Sequence, residues 1–442
     1  MPNLNPNSTN YVHSYEPNTN DLTMAMQYDV LGRPILRTTL GPTASDGFGR
    51  FRTSEPFTLF DSFHRYYDNG KFNTATATGG TSTFDANEGD IKNTVTGTSG
   101  SSVIRETKRV QAYQPGKSLL IMYTFVLAQA RAGLTQRIGY FDADNGIYLE
   151  VEGTDIYFVR RSKSTSGNGT IQYTRAAKNN WNITPLDGTG ADKIVLDLTV
   201  AQIMYIEIEW LGVGNAKCGF IINGQMIPCH AFQWANVVGS LTPYMTTACL
   251  PLRNEIFNTA NTGVASTMRI ICATVLSEGG YELRGASRSA GHDIQTPRTT
   301  SQPQANTIIP MFTMRLKNTR PGAIVVPTNF SFAPLTSANF EYYIIKDAVT
   351  SGGTWVDPGA TSSVEYNLTA TSFSGGVIMD QGYVLSTNQS SVSPDLRVYP
   401  FKFQLERNAL TNPVTCFEFT IATKTTTNST SQCVAVGWEE IT

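Results

Sequence analysis

Between residues 203 and 236 the chain reads IMYIEIEWLGVGNAKCGFIINGQMIPCHAFQWAN. Met204, Ile206, Ile208 and Trp210 alternate with Tyr205, Glu207 and Glu209, the period of two that puts one face of a strand on a core and the other in water. A Gly-containing break at 211–215 leads into a second apolar run. Asn223-Gly224, a strong hairpin signal, turns that run into 225–230. Three consecutive antiparallel strands are predicted. Such a meander cannot bury its apolar face alone, so a second sheet must pack on it.

The same reading extends in both directions. Residues 118–127 (SLLIMYTFVL) are continuously apolar, as in a strand covered on both faces, and 137–141, 146–151 and 156–160 form a second meander across Asp-Asn-Gly and Glu-Gly-Thr-Asp turns. The run 267–277 (TMRIICATVLS) predicts another buried strand. Helix signals reach at most a turn or two, at 128–135 and 198–203. Residues 279–307 are rich in Gly, Ser, Gln and Pro without apolar periodicity, which marks a linker. Beyond it about eight short strands fall between 308 and 439, the inventory of a compact sandwich. The fold expected is all-β: an extended N-terminal anchoring arm over residues 1–62, a lectin-like β-sandwich over 63–283, a linker over 284–307 and a C-terminal jelly-roll or sandwich over 308–442.

Composition narrows the partners. In 442 residues the charged fraction is 15% and the net charge is -2, so there is no basic field for nucleic acid, and Lys and Arg are scattered. No 18-residue apolar run is present to span a membrane, and the first twenty residues lack the basic and apolar parts of a secretory signal. Those residues are Asn, Pro, Ser and Thr with few anchors, as in an arm. Residues 31–63 are apolar yet irregular, which points to packing along another subunit or domain or to an ordered wrap around their own domain. Phe48, Phe51, Phe57, Leu59 and Phe60 are the candidate assembly contacts. Cys218 and Cys229 flank the Asn223-Gly224 turn; reduced, buried thiols are expected of them, and the absence of a CxxC pair argues against structural zinc.

The words GRFRTSEPFTLFDSFHRY (49–66), YQPGKSLLI (113–121), QRIGYFDADNGIYLEVEG (136–153), IEIEWLGVGNAKCGFIINGQMIPCHAF (206–232), LPLRNEI (250–256) and the closing VAVGWEE resemble a group of structural proteins of tailed bacteriophages. The first sandwich, with its IEIEW and FIINGQ strands, is similar in pattern to concanavalin A or laminin-G folds. The phage resemblance implies a virion component located in the particle, with other virion proteins as partners and a homo-oligomer, a trimer being favoured.

Candidate chemistry is sparse. Asp142, Asp144 and Asn145 cluster before Gly146 but miss the twelve-residue calcium pattern, so an Asx turn is expected there. Glu207 and Glu209 share a strand face about 6 to 7 Å apart, the spacing of paired glycosidase carboxylates, on what should be the wet side. Cys229 and His230 are adjacent without an orienting third group. His13, His64, His230 and His292 are the four histidines, none in a zinc-binding spacing. No catalytic, cofactor or metal residue is predicted, and a chain that is not an enzyme is expected. Trp181, Tyr173, Trp234 and Tyr244 lie in or beside predicted loops. Aromatic rings there could stack on host surface sugars, with Trp181 and Trp234 the candidate glycan contacts, or they could fill the core or a subunit interface. The function expected is thus a structural virion module, exposed as an appendage, tail, neck, baseplate or capsid-decorating part; its alternative is a receptor-binding fibre or adaptor that recognises host glycan.

Overall fold

The computed structural model describes residues 26–28, 34–36, 55–164, 170–190, 193–299, 307–385, 394–398 and 401–441. Two units are present, residues 1–54 and 55–442. Within the first, Met26–Tyr28 and Pro34–Leu36 pair antiparallel, Gln27 opposite Ile35. The candidate contacts Phe48 and Phe51 lie outside the described residues.

The second unit is built from antiparallel strands, and its described residues contain no α-helix, only two 3₁₀ turns. Its first sandwich has a seven-stranded sheet in the order Gln172–Ala177, Asp155–Ser162, Gly146–Glu152, Leu134–Phe141, Leu252–Asn258, Ser102–Thr107 and Phe72–Ala77. Facing it is an eight-stranded sheet that contains Gln225–Phe232, Ala216–Ile222, Gln202–Ile208, Leu119–Val126 and Ser266–Ser277. The predicted three-stranded meander is therefore present, with Met204 opposite Phe220 and Ile206 opposite Cys218. Asn223 and Gly224 have φ of 53° and 78°, both in the left-handed region that a tight hairpin demands. Alternation decides the rest: Ile138, Tyr140, Ile147, Leu149 and Phe158 point inward and meet Ile121, Tyr123, Phe125, Ile206 and Phe220 in one core.

Two expected boundaries move. Phe57–Phe63, assigned above to the arm, pairs with Ser266–Ser277 as a strand of the eight-stranded sheet. Phe60 is 4% exposed in the sandwich core, while Leu59 packs between that core and a second cluster holding Phe57, Tyr281 and Phe401. Phe57, Leu59 and Phe60 are thus packed within their own chain, because their apolar surface is covered by local sheet partners rather than left for a sibling. The expected linker is also partly sheet: Ala286–Gly291 and Arg298–Thr299 pair with Ser431–Ile441. An edge strand can be held by its backbone ladder alone, so Ser and Gly replace the apolar alternation that would have announced it.

The second sandwich packs the sheet of Trp355–Val356, Val364–Asn367, Ile309–Leu316, Glu418–Thr425, Phe340–Ser351 and Ser372–Val384 against one in which Ser431–Ile441 also pairs with Ile324–Pro334. Phe312, Phe330, Phe332, Phe340 and Trp438 fill its core. The two sandwiches meet through Val110, Ala112, Ile324, Val326 and Phe401. Buried polar bonds join them as well: the Arg407 guanidinium reaches Glu106 at 2.9 Å, and the Asn73 amide donates to the Arg407 carbonyl at 2.8 Å.

Candidate functional site

The apolar side chains of the seven-stranded sheet point to the core, so strand alternation sends Arg137, Gly139, Phe141, Tyr148, Glu150, Val159, Arg161, Tyr173, Arg175, Arg253, Glu255 and Phe257 to its outer face. Register then makes this face a ladder of opposite charges. Arg137 stands opposite both Glu150 and Glu255 in the pairing, and its guanidinium contacts them at 2.6 and 3.1 Å. Arg253 reaches Glu106 at 2.7 Å and Glu255 at 2.6 Å. Arg175 reaches Glu150 at 2.5 Å and also contacts Glu152. Cross-strand pairs of this kind hold one another in place.

Aromatic rings lie among these charges. Phe141 and Tyr148 pack with centroids 4.4 Å apart, and the Arg161 guanidinium sits 5.3 Å from the first and 5.1 Å from the second. Gly139 makes this arrangement fit, since a Cβ there would come within 2.7 Å of the Tyr148 Cβ. Burial pushes the Tyr148 phenol up to about 12, against the opposing pull of Arg161 and Arg137. Burial also raises the Glu255 carboxyl, but Arg253 and Arg137 outweigh it and hold the group below its ordinary value. The Glu255 carboxylate thus stays ionised and already neutralised.

A cleft of about 430 Å³ opens on this face, lined by Arg137, Arg161, Arg253, Glu255, Tyr173 and Phe257 among others. Tyr173 is 52% exposed at its rim, with the ring 5.5 Å from the Arg161 guanidinium. A cleft of this size, floored by fixed donors and acceptors and edged by an open ring, can hold a polar ring-shaped ligand by hydrogen bonds and stacking.

Of the residues singled out from sequence, Tyr173 lies at this cleft and the others lie elsewhere. Trp181 is in the core, 4.6 Å from Phe158 and 6.4 Å from Phe220, and its indole donates to the Ala176 carbonyl. It cannot serve as a glycan contact. Trp234 is half-buried; its indole donates to the Thr242 carbonyl at 2.6 Å and the Arg160 guanidinium covers its ring at 4.2 Å. Tyr244 is buried beside it, leaving Tyr173 as the open ring of the four. For Trp181 the core alternative holds, because a position beside a loop does not say which way the ring turns.

Glu207 pairs with Lys217 at 3.4 Å on the eight-stranded sheet, and Glu209 is exposed beside it, remote in topology from the cleft. His230 is buried, its Nδ1 accepting from the Asn182 amide at 3.3 Å, and the Cys229 thiol donates to the Ile227 carbonyl. All six cysteines are thiols, with burial raising Cys218 well above its ordinary value. The Asp142 carboxylate accepts from the amides of Asp144 and Asn145 at 2.8 and 2.7 Å, the expected Asx turn. Among the described residues no group of three His, Cys, Asp or Glu side chains could hold a metal, and no helix is long and apolar enough to cross a membrane. The arginines of the outer face were missed. Their signal was the alternation itself, which places 137, 161 and 253 opposite the apolar positions of three strands.

No protein-family model matches the chain, and no curated protein matches it. Solved structures do. The carbohydrate recognition domain of Emp47p is 11% identical, with a TM-score of 0.32, over 53% of this chain and 99% of that one. A conserved carbohydrate esterase of the Shiga toxin-encoding bacteriophage phi24B is 10% identical, with a TM-score of 0.29, over 51% of this chain and 100% of its own. A glycosyl hydrolase family protein from Mycobacterium fortuitum is 11% identical, with a TM-score of 0.34, over 50% and 99%. At these identities the likeness concerns the arrangement of strands and not particular residues. The expectation of a chain that is not an enzyme is withdrawn on this finding, because the matched structures include an esterase and a glycosyl hydrolase.

Proposed function

We propose that this chain recognises saccharide through the outer face of its seven-stranded sheet, as a component of a tailed-phage particle. The observation that carries the reading is the cleft of about 430 Å³, where fixed guanidinium and carboxylate groups surround a floor and Tyr173 offers an open ring at the rim. Sugars present hydroxyl groups at regular spacing with an apolar ring face, and a ladder of Arg and Glu beside a tyrosine supplies both kinds of contact. Specificity would come from the position of the charges, which their mutual pairing fixes.

The test is a glycan array probed with the full chain, followed by Tyr173→Ala. Saccharide binding that falls in this variant, with the circular dichroism of the parent retained, is expected. Absence of binding to any saccharide, or binding untouched by the substitution, refutes the site. The placement in a phage particle is supported by the sequence words between residues 49 and 256, and it is tested by mass spectrometry of purified virions. Homotrimeric association belongs to the same proposal and is read by light scattering.

A further inference from the structure

Five guanidinium groups border the outer face, those of Arg137, Arg161, Arg175, Arg253 and Arg407, against four carboxylates, those of Glu106, Glu150, Glu152 and Glu255. Four of the five arginines contact at least one of these carboxylates. Arg161 contacts none: among the described residues it donates to the Asp142 carbonyl at 2.5 Å and to the Tyr148 hydroxyl at 3.4 Å, and its Nε has no partner. It is nonetheless 5% exposed. A buried cation with an unfilled donor fork is costly, and contact with the faces of Phe141, Tyr148 and Tyr173 offsets only part of that cost.

We propose that Arg161 is the anion-binding residue of the cleft, and that the ligand is an acidic saccharide whose carboxylate, sulfate or phosphate completes the guanidinium fork. This rests on the saccharide reading above and names the substrate class for it. The geometry supports it in three ways. Arg161 lines the cleft, with its Nε unpartnered. Its orientation is fixed from behind, because the Asx turn at Asp142 presents the carbonyl that one terminal nitrogen holds. The remaining carboxylate on the cleft wall, Glu255, is already matched by Arg253 and Arg137, so an incoming oxyanion meets a net positive site. Tyr173 stands where the sugar ring carrying that anion would stack.

The experiment uses the full chain and titration calorimetry at about 150 mM salt, where diffuse attraction is screened. The probes are oligosaccharides carrying glucuronate, sulfate or phosphate, each beside its carboxyl-reduced, desulfated or dephosphorylated counterpart. At least one acidic probe should bind about tenfold or more tightly than its neutral counterpart, and Arg161→Met should remove that preference, as expected for a charge-assisted fork. Arg161→Lys should recover part of it, since one ammonium cannot present two parallel donors. Arg397→Met, on the exposed Arg397 and Asp395 pair of the second sandwich, should change nothing. Equal binding of acidic and neutral probes, with Arg161→Met silent, overturns the anion site and leaves saccharide recognition standing. No binding by any probe overturns both. An equal loss in Arg397→Met overturns the site in favour of diffuse charge. Should Arg161→Met fail to fold, Tyr173→Ala takes its place, and an unchanged acidic preference with unchanged affinity in that variant likewise overturns the proposal.

Discussion

Trp181 separates a core reading from a ligand reading, and Trp181→Ala is the perturbation. The side chain is 5% exposed and follows the short 3₁₀ turn Lys178–Asn180. Its ring lies 4.6 Å from Phe158 of one sheet, tilted by 32°, and 6.4 Å from Phe220 of the other, so it spans the layer between them. A buried tryptophan removes roughly 200 Å² from water, worth about 5 kcal/mol by area. Measured truncations of Trp and Phe to Ala cost about 3 to 5 kcal/mol once the cavity relaxes. Loss of the indole bond to the Ala176 carbonyl, 3.1 Å in the parent and worth about 1 kcal/mol, is contained in that range. An expected cost of about 4 kcal/mol follows.

The assay is urea unfolding followed by far-ultraviolet circular dichroism. With a slope of about 3 kcal/mol per molar for a domain of this size, the midpoint of the transition carrying the first sandwich should fall by roughly 1.3 M. Trp181→Phe keeps a ring against Phe158 and should lose about 1 to 2 kcal/mol. A midpoint within about 0.2 M of the parent for Trp181→Ala refutes the core assignment. Equal damage from Phe and Ala would also refute it, because stacking would then contribute nothing.

Burial holds His64, His230 and His292 below their ordinary value of 6.5, so the unfolded chain takes up protons first; their contribution is complete above about pH 6.5 and is lost as pH falls through the native values. Melting temperature should therefore drop between about pH 6.5 and 5, and a rise on acidification would contradict it. Arg407→Met leaves the buried Glu106 short of a partner at the junction of the sandwiches and should cost about 3 to 5 kcal/mol, with the double variant Glu106→Gln, Arg407→Met recovering part of it in denaturant titrations.

The meander at 203–232 was legible because its alternation and its Asn-Gly turn are local. The strand Phe57–Phe63 was hidden by a bulge: register shifts between Val275 and Leu276, so Phe60 pairs with Val275 and Thr58 with Leu276, and Leu59 is passed over. One skipped residue breaks the period of two, and FTLFDSF then reads as irregular. The strand Ala286–Gly291 gave no apolar signal because an edge strand needs none. Arg160 and Arg161 are neighbours in sequence, and the inward Phe158 fixes which one faces out. That much was readable. The lack of a carboxylate opposite Arg161 was not, since the carboxylates of this face come from three other strands.

The charge ladder is poorly explained by stability. Burying Glu106, Glu150 and Glu255 with their arginines roughly breaks even at best, and apolar residues of the same volume would commonly stabilise such a sheet face more. What the pairing does supply is position, because Arg137 is held by Glu150 and Glu255 on the two flanking strands, and Arg253 by Glu106 across the sheet and Glu255 on its own strand, so neither swings without breaking both pairs. On a face neutralised in this way, one extra cation is a local feature in a fixed place rather than part of a diffuse field. Arg161, clasped by the Asp142 turn and left with an unpartnered, buried Nε at the cleft, is that cation, and the ladder around it is the scaffold that gives its charge a direction.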